Sequence, residues 1–266
     1  MRALVLLIPL LLGASPVPHR VLSMNLCADQ YLIALADRGQ VAGLSKLARD
    51  STISSGAREA ASLPVAGASA EEVLALAPDL VLTGWEGQAD AAKRLGSKAR
   101  AIALPPANSF RDITAQVRLV AAALGHPARG EALIARMDRA LAAVPRTGRG
   151  RVAAEYQRRG FLGGPDTLVD EMMRRVGLAN LAARLGRPAL SRLSLEEIVA
   201  ARPDMILAGE GGPDDLGSAM VRHPALRAIP RVHVAEALTT CGGPAFPDAV
   251  RALSEEAARI GVHRHG

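Results

Sequence analysis

The sequence predicts an α/β protein of two lobes, each with a mostly parallel sheet, joined by a long rigid helix. Three features carry that prediction. The segment ASAEEVLALAPDLVLTG, Ala68 to Gly84, returns 125 positions later as LSLEEIVAARPDMILAG, Leu193 to Gly209, with eight of seventeen positions identical. Short apolar runs alternate with helical patterns around both copies, the signature of parallel sheets covered by helices. Two amphipathic segments lie between the copies. A single recurrence at this distance speaks for two homologous lobes rather than a solenoid, whose repeats return every roughly 20–50 residues.

The elements follow in chain order. Met1 and Arg2 precede the apolar run Ala3 to Leu12 and the small residues Gly13, Ala14 and Ser15, so residues 1–18 read as a cleavable secretory signal and the expected location is periplasmic. The run is well short of the roughly 20 residues a membrane-crossing helix needs. Ser15 stands where a lipid-attachment motif would place its cysteine, so a soluble mature chain is expected.

The first lobe, residues 19–108, has expected strands at Arg20 to Met24, Val41 to Leu44, Leu80 to Thr83 and Ala101 to Leu104. In each repeat copy a serine, Ser69 or Ser194, caps a helix, and Glu72 or Glu197 closes a capping box three residues on. Pro-Asp then stops the helix before a buried strand. The connection, residues 109–146, contains Ser109 to Gly125 and Pro127 to Val144, separated by a Gly-His-Pro break; a helix of roughly 17 residues, about 25 Å, bridges the lobes. The second lobe, residues 147–266, has expected strands at Arg151 to Tyr156, Met205 to Ala208 and Val232 to Ala235, and helices at Thr167 to Val176 and Pro244 to Ile260.

Composition, 49% hydrophobic and 22% charged, is that of a globular chain. The net charge of +6 is spread along helices without a dense basic stretch, which points away from nucleic acid as a partner. Two cysteines are too few for a disulfide scaffold: Cys27 and Cys241 could pair in an oxidising compartment, hold a soft metal as thiolates, or be buried and inert. The six histidines show no metal-ligand spacing, so no metal site and no bare-ion cargo are expected.

RVLSMNLCADQYLIALA at the start, the two EE-helix-PD units, GFLGGPDTLVDEMMRRVGLAN and CGGPAFPDAV, in that order, resemble the helical-backbone class of ABC-importer binding proteins, the group of cobalamin, ferric siderophore and haem binders. The resemblance implies two Rossmann-like lobes, a shallow cleft, a monomer with limited hinge motion, and no catalysis or cofactor of its own. The expected cargo is a metal chelate, foremost a corrinoid, with a ferric siderophore or haem as the alternative. The implied partner is a transmembrane permease dimer with its ATPase, docked through one glutamate per lobe; Glu71 and Glu196 occupy the matching positions.

Ligands of open α/β sheets sit beyond the carboxyl ends of the strands. That rule selects Asn25, Cys27 and Asp29 after the first strand, Arg49 in the next loop, and Trp85 as an apolar wall. In the second lobe it selects Tyr156 and Phe161 as the facing wall, with Cys241 and Gly242 before the last helix. Arg158 and Arg159 could meet ligand carboxylates or phosphate, or face solvent. A relative that sandwiches a corrin between several aromatics differs from this chain, which has one tryptophan, two tyrosines and three phenylalanines. Two other readings stand beside import: a thiol enzyme using Cys27 at a helix N-terminus, and a sensor that signals cargo to a membrane partner.

Overall fold

Each lobe opens on an apolar strand that pairs with the strand of its own repeat unit. A computed structural model describes residues 17–67, 69–84, 99–207 and 220–262. Most of the expected signal segment, Trp85, His263 and His265 lie outside the described residues.

In lobe one, β1 (Val21–Ser23), β2 (Val41–Gly43), β3 (Leu80–Thr83) and β4 (Arg100–Ala103) form a parallel sheet in the order β2-β1-β3-β4. Helix α1 (Leu26–Leu35) leaves β1 and α2 (Ala70–Leu76) leads into β3. Next come α3 (Phe110–Ala123) and α4 (Pro127–Ala142).

Lobe two contains β5 (Val152–Tyr156), β6 (Phe161–Gly163), β7 (Ala179–Asn180), β8 (Leu190–Arg192), β9 (Met205–Leu207) and β10 (Arg231–Val232). Its sheet runs β10-β9-β5-β6-β8, with β7 also on β5. Strands β10, β9, β5 and β7 are parallel, while β6 is antiparallel to both β5 and β8. The expected strands are present, except that the one expected at Val232 to Ala235 is the shorter Arg231–Val232 and Ala208 lies outside the described residues; β6, β7 and β8 are additions. Its helices include α5 (Leu168–Val176), α6 (Leu195–Ala201) and α7 (Phe246–Val262).

The duplicated sequence makes duplicated contacts. Ser69 accepts the Glu72 N–H and Ser194 the Glu197 N–H, each at 3.2 Å. The box closes fully on α6, where the Ser194 N–H reaches Glu197; on α2 the Glu72 carboxylate accepts the Ser69 hydroxyl. Both helices end in a left-handed residue, Ala77 (φ 41°) and Arg202 (φ 45°), satisfying terminal carbonyls without the usual glycine. The repeated aspartates then latch the opening strand of each lobe. Asp79 accepts the N–H groups of His19 and Arg20, and Asp204 that of Val152.

Helices α3 and α4 form an antiparallel pair. Gly130 permits it, since a Cβ there would lie 2.6 Å from that of Ala121. Arg118 and Glu131 close the outer edge. Helix α4 is the bridge: Arg129 near its start donates to the Leu35 carbonyl and Asp37 of lobe one, and past its end Ser254 of α7 donates to the Pro145 carbonyl. Its 16 residues span about 24 Å.

One buried apolar cluster runs through both lobes, joining Tyr31, Leu32 and Ile113 to Met172, Met173 and Leu253. Phe110 and Phe246 stack across the junction at 5.9 Å, with the Arg175 guanidinium within 6 Å of both rings.

Candidate ligand-binding cleft

A cavity of about 570 Å³ lies where the two lobes meet. Lobe one supplies Asn25 and Cys27 after β1, Gly84 after β3, the stretch from Leu104 to Asn108 after β4, and Gln116 of α3. Lobe two supplies Glu155 and Gln157 from the end of β5, Gly163 of β6, Thr167 to Val169, Ala189, Leu190, and Thr239 to Gly242 ahead of α7. Most of these follow strand ends, as the rule for open sheets requires.

Asn25 caps α1, its Oδ1 accepting the N–H groups of Cys27 and Ala28 at 2.8 and 3.3 Å. The cap turns Cys27 toward the other lobe, where it is joined to Cys241 by a disulfide with Cα atoms 5.3 Å apart. Neither sulfur is therefore a thiolate, and the bond overturns both the thiol-metal and the thiol-enzyme reading of Cys27. Beside it, the Gly242 carbonyl accepts the Tyr31 hydroxyl at 2.8 Å, a second tie between the lobes.

Glu155 is the lone ionisable side chain among the described lining residues. Gln157 donates to its Oε1 at 2.7 Å. Its Oε2 lies over Gly163, where a Cβ would come within 1.9 Å, so a side chain at that position would push the carboxylate aside. Burial pushes the Glu155 carboxyl up to about 7, against the lowering pull of Gln157 and with the Asp170 charge adding to the rise. The ladders identify its counterpart in lobe one: Glu155 pairs with Leu207 and Ser23 with Leu82, and those leucines are 125 positions apart. Ser23 is buried, and its hydroxyl donates to the Asn25 carbonyl.

Of the residues expected at the site, Asn25, Cys27, Cys241 and Gly242 line the cleft, and four others do not. Asp29 sits two residues past Cys27, about 200° around the helix, and is buried against Ser45, whose N–H and hydroxyl it accepts. Arg49 donates to the carbonyls of Ala60 and Leu63 within lobe one. Tyr156 is fully buried in the core of lobe two, its hydroxyl on the Leu193 carbonyl at 3.0 Å. Phe161 lies under the Arg192 guanidinium, 4.7 Å from its centroid. Arg158 and Arg159 are exposed and are not lining residues. Glu71 and Glu196 are exposed on the first turns of α2 and α6.

Sequence reasoning missed Glu155, Gln157 and the loop from Leu104 to Asn108. A charged residue inside the apolar run VAAEY was the available signal for the first, and Pro105-Pro106 directly after a strand for the last.

Among the described residues no group of three or more His, Cys, Asp or Glu side chains is arranged to hold a metal. The periplasmic binding protein family model matches residues 21–233. A cobalamin-binding protein of Halobacterium salinarum is 29% identical over 205 residues, 72% of this chain but only 54% of that protein, so the chain matches about half the relative's length. A vitamin B12-binding protein of Pectobacterium carotovorum is 26% identical over 186 residues, 67% of each chain. The solved apo structure of a periplasmic haem-binding protein from Roseiflexus sp. RS-1 superposes with a TM-score of 0.67 at 27% identity, covering 91% of this chain and 98% of that one. The match to the family model spans most of the polypeptide, and the chain belongs to the periplasmic binding protein family.

Proposed function

We propose that this chain captures a corrinoid, cobalamin or a close analogue, outside the cytoplasmic membrane and delivers it to an ABC importer. The family and the matched relatives are binding proteins, and membership implies a periplasmic or extracellular location. The carrying observation is the chemistry of the cleft. Its walls are apolar, its described polar groups are amides, hydroxyls and the Glu155 carboxyl, and no Arg, Lys or His stands among the described lining residues. A corrin ring rimmed with amides suits that surface. A porphyrin presenting two carboxylates would call for cations. The two curated relatives named for cobalamin or vitamin B12 support the same choice.

In this reading residues 1–18 are removed on export, the chain acts as a monomer, and Glu71 and Glu196 meet basic residues of a permease dimer served by an ATPase. Their placement supports the role: the neighbouring Glu72 and Glu197 carboxylates are occupied at the helix starts.

Calorimetric titration with cyanocobalamin, haem and a ferric hydroxamate tests the cargo. Stoichiometric binding of cyanocobalamin without turnover is expected, whereas tighter binding of haem or the ferric chelate would replace the corrinoid reading with iron import. Charge reversal at Glu71 and Glu196 together should abolish uptake and leave affinity unchanged; a loss of affinity would remove the docking role.

A further inference from the structure

We propose that Glu155 is the specificity-determining residue of the cleft, taking an N–H donor of the cargo, a primary amide or an ammonium, and excluding otherwise similar molecules that present a carboxylate there. The inference rests on the reading of this cavity as the cargo site.

Three observations carry it. Glu155 lines the cleft and has no cationic neighbour among the described lining residues to neutralise it. Gln157 occupies Oε1, while Oε2 has no hydrogen-bond partner among the described residues, so one acceptor remains for a guest. Gly163 leaves room for this carboxylate, and a Cβ at that position would displace it. A partly desolvated acceptor next to an apolar wall gains most from a donor and loses most when faced with another acceptor.

The arrangement is also sensitive to pH. The charged group acting on Glu155 is Asp170 of α5, itself held by Arg174 and Asn180; beside it Glu171 is paired with Arg174 and Arg175. Lobe one presents no titratable lining side chain among the described residues. With a carboxyl titrating near 7, exclusion of anionic guests is strong above that pH and fades below it.

The test compares cyanocobalamin with its monocarboxylic acids, in which one peripheral amide is hydrolysed, and haem with its dimethyl ester. Wild-type protein should prefer the amide or ester member of a pair by about tenfold or more at about pH 8, narrowing toward parity near pH 5.5. The isosteric Glu155→Gln keeps the shape and should hold that preference below about threefold at both pH values. The pH comparison needs no variant and stands if Glu155→Gln fails to fold. Wild-type binding with equal affinity for the members of each pair, or an unaltered preference in Glu155→Gln, overturns this inference and leaves the cargo site intact. Failure of the wild type to bind any of these molecules overturns the proposed function and this inference together.

Discussion

Cys27 and Cys241 are covalently joined across 214 residues of sequence, one at the first turn of α1 in lobe one and the other in the loop leading into α7 of lobe two. The bond lines the cleft, so it fixes the spacing of two of its walls. Cross-linking positions this far apart removes much of the freedom of the unfolded chain, worth up to about 5 kcal/mol in the chain-entropy account. Thermal unfolding with and without reductant checks it. The melting temperature should fall on reduction, Cys27→Ser/Cys241→Ser should start at the lower value, and reductant should not move the double variant. A wild-type melting temperature indifferent to reductant would refute the prediction.

Asp79 and Asp204 latch the opening strands of their lobes through backbone N–H groups. Replacing either with Ala should cost about 1–2 kcal/mol, because strand-end donors lose a charged acceptor. The latches sit in different lobes, so the two losses should add in the double variant, as read by denaturant midpoints.

Tyr156→Phe separates a core role from a ligand role. Removing the hydroxyl leaves the buried Leu193 carbonyl without this donor and should destabilise the protein by about 1–2 kcal/mol. Affinity for cyanocobalamin should not change. An affinity loss with unaltered stability would return Tyr156 to the cleft.

Burial raises the Asp29 carboxyl to about 6, partly offset by hydrogen bonds from Ser23 and Ser45. Between the ordinary carboxylate range and that value the folded protein holds a proton the unfolded chain has lost. The contribution of Asp29 to stability is therefore fully favourable at low pH and declines as pH rises through about 6. Asp29→Asn retains an oxygen for the Ser45 N–H and should flatten this decline by on the order of 2–3 kcal/mol in denaturation curves taken from pH 4 to pH 7.

The scaffold was readable because its determinants are local or repeated: serine caps, the Pro-Asp stop and the apolar strands all occur twice in the sequence. Strands β6 and β8 were not, since FLG and LSR are too short to show a period and one contains glycine. The cleft was found by the strand-end rule but misassigned by single residues. Alternation along β5 sends Ala154 and Tyr156 into the core of lobe two and turns Glu155 the other way, so choosing the aromatic meant choosing the wrong face. The disulfide needed three-dimensional proximity, which no local pattern supplies.

Ser23 and Glu155 hold equivalent ladder positions, yet of the two only Glu155 lines the cleft, so the kinship of the two lobes ends there. Among the described lining residues lobe one is neutral and lobe two carries an acid, so a guest with unlike edges has one preferred heading. That polarity goes with one position at which the two repeated strands differ.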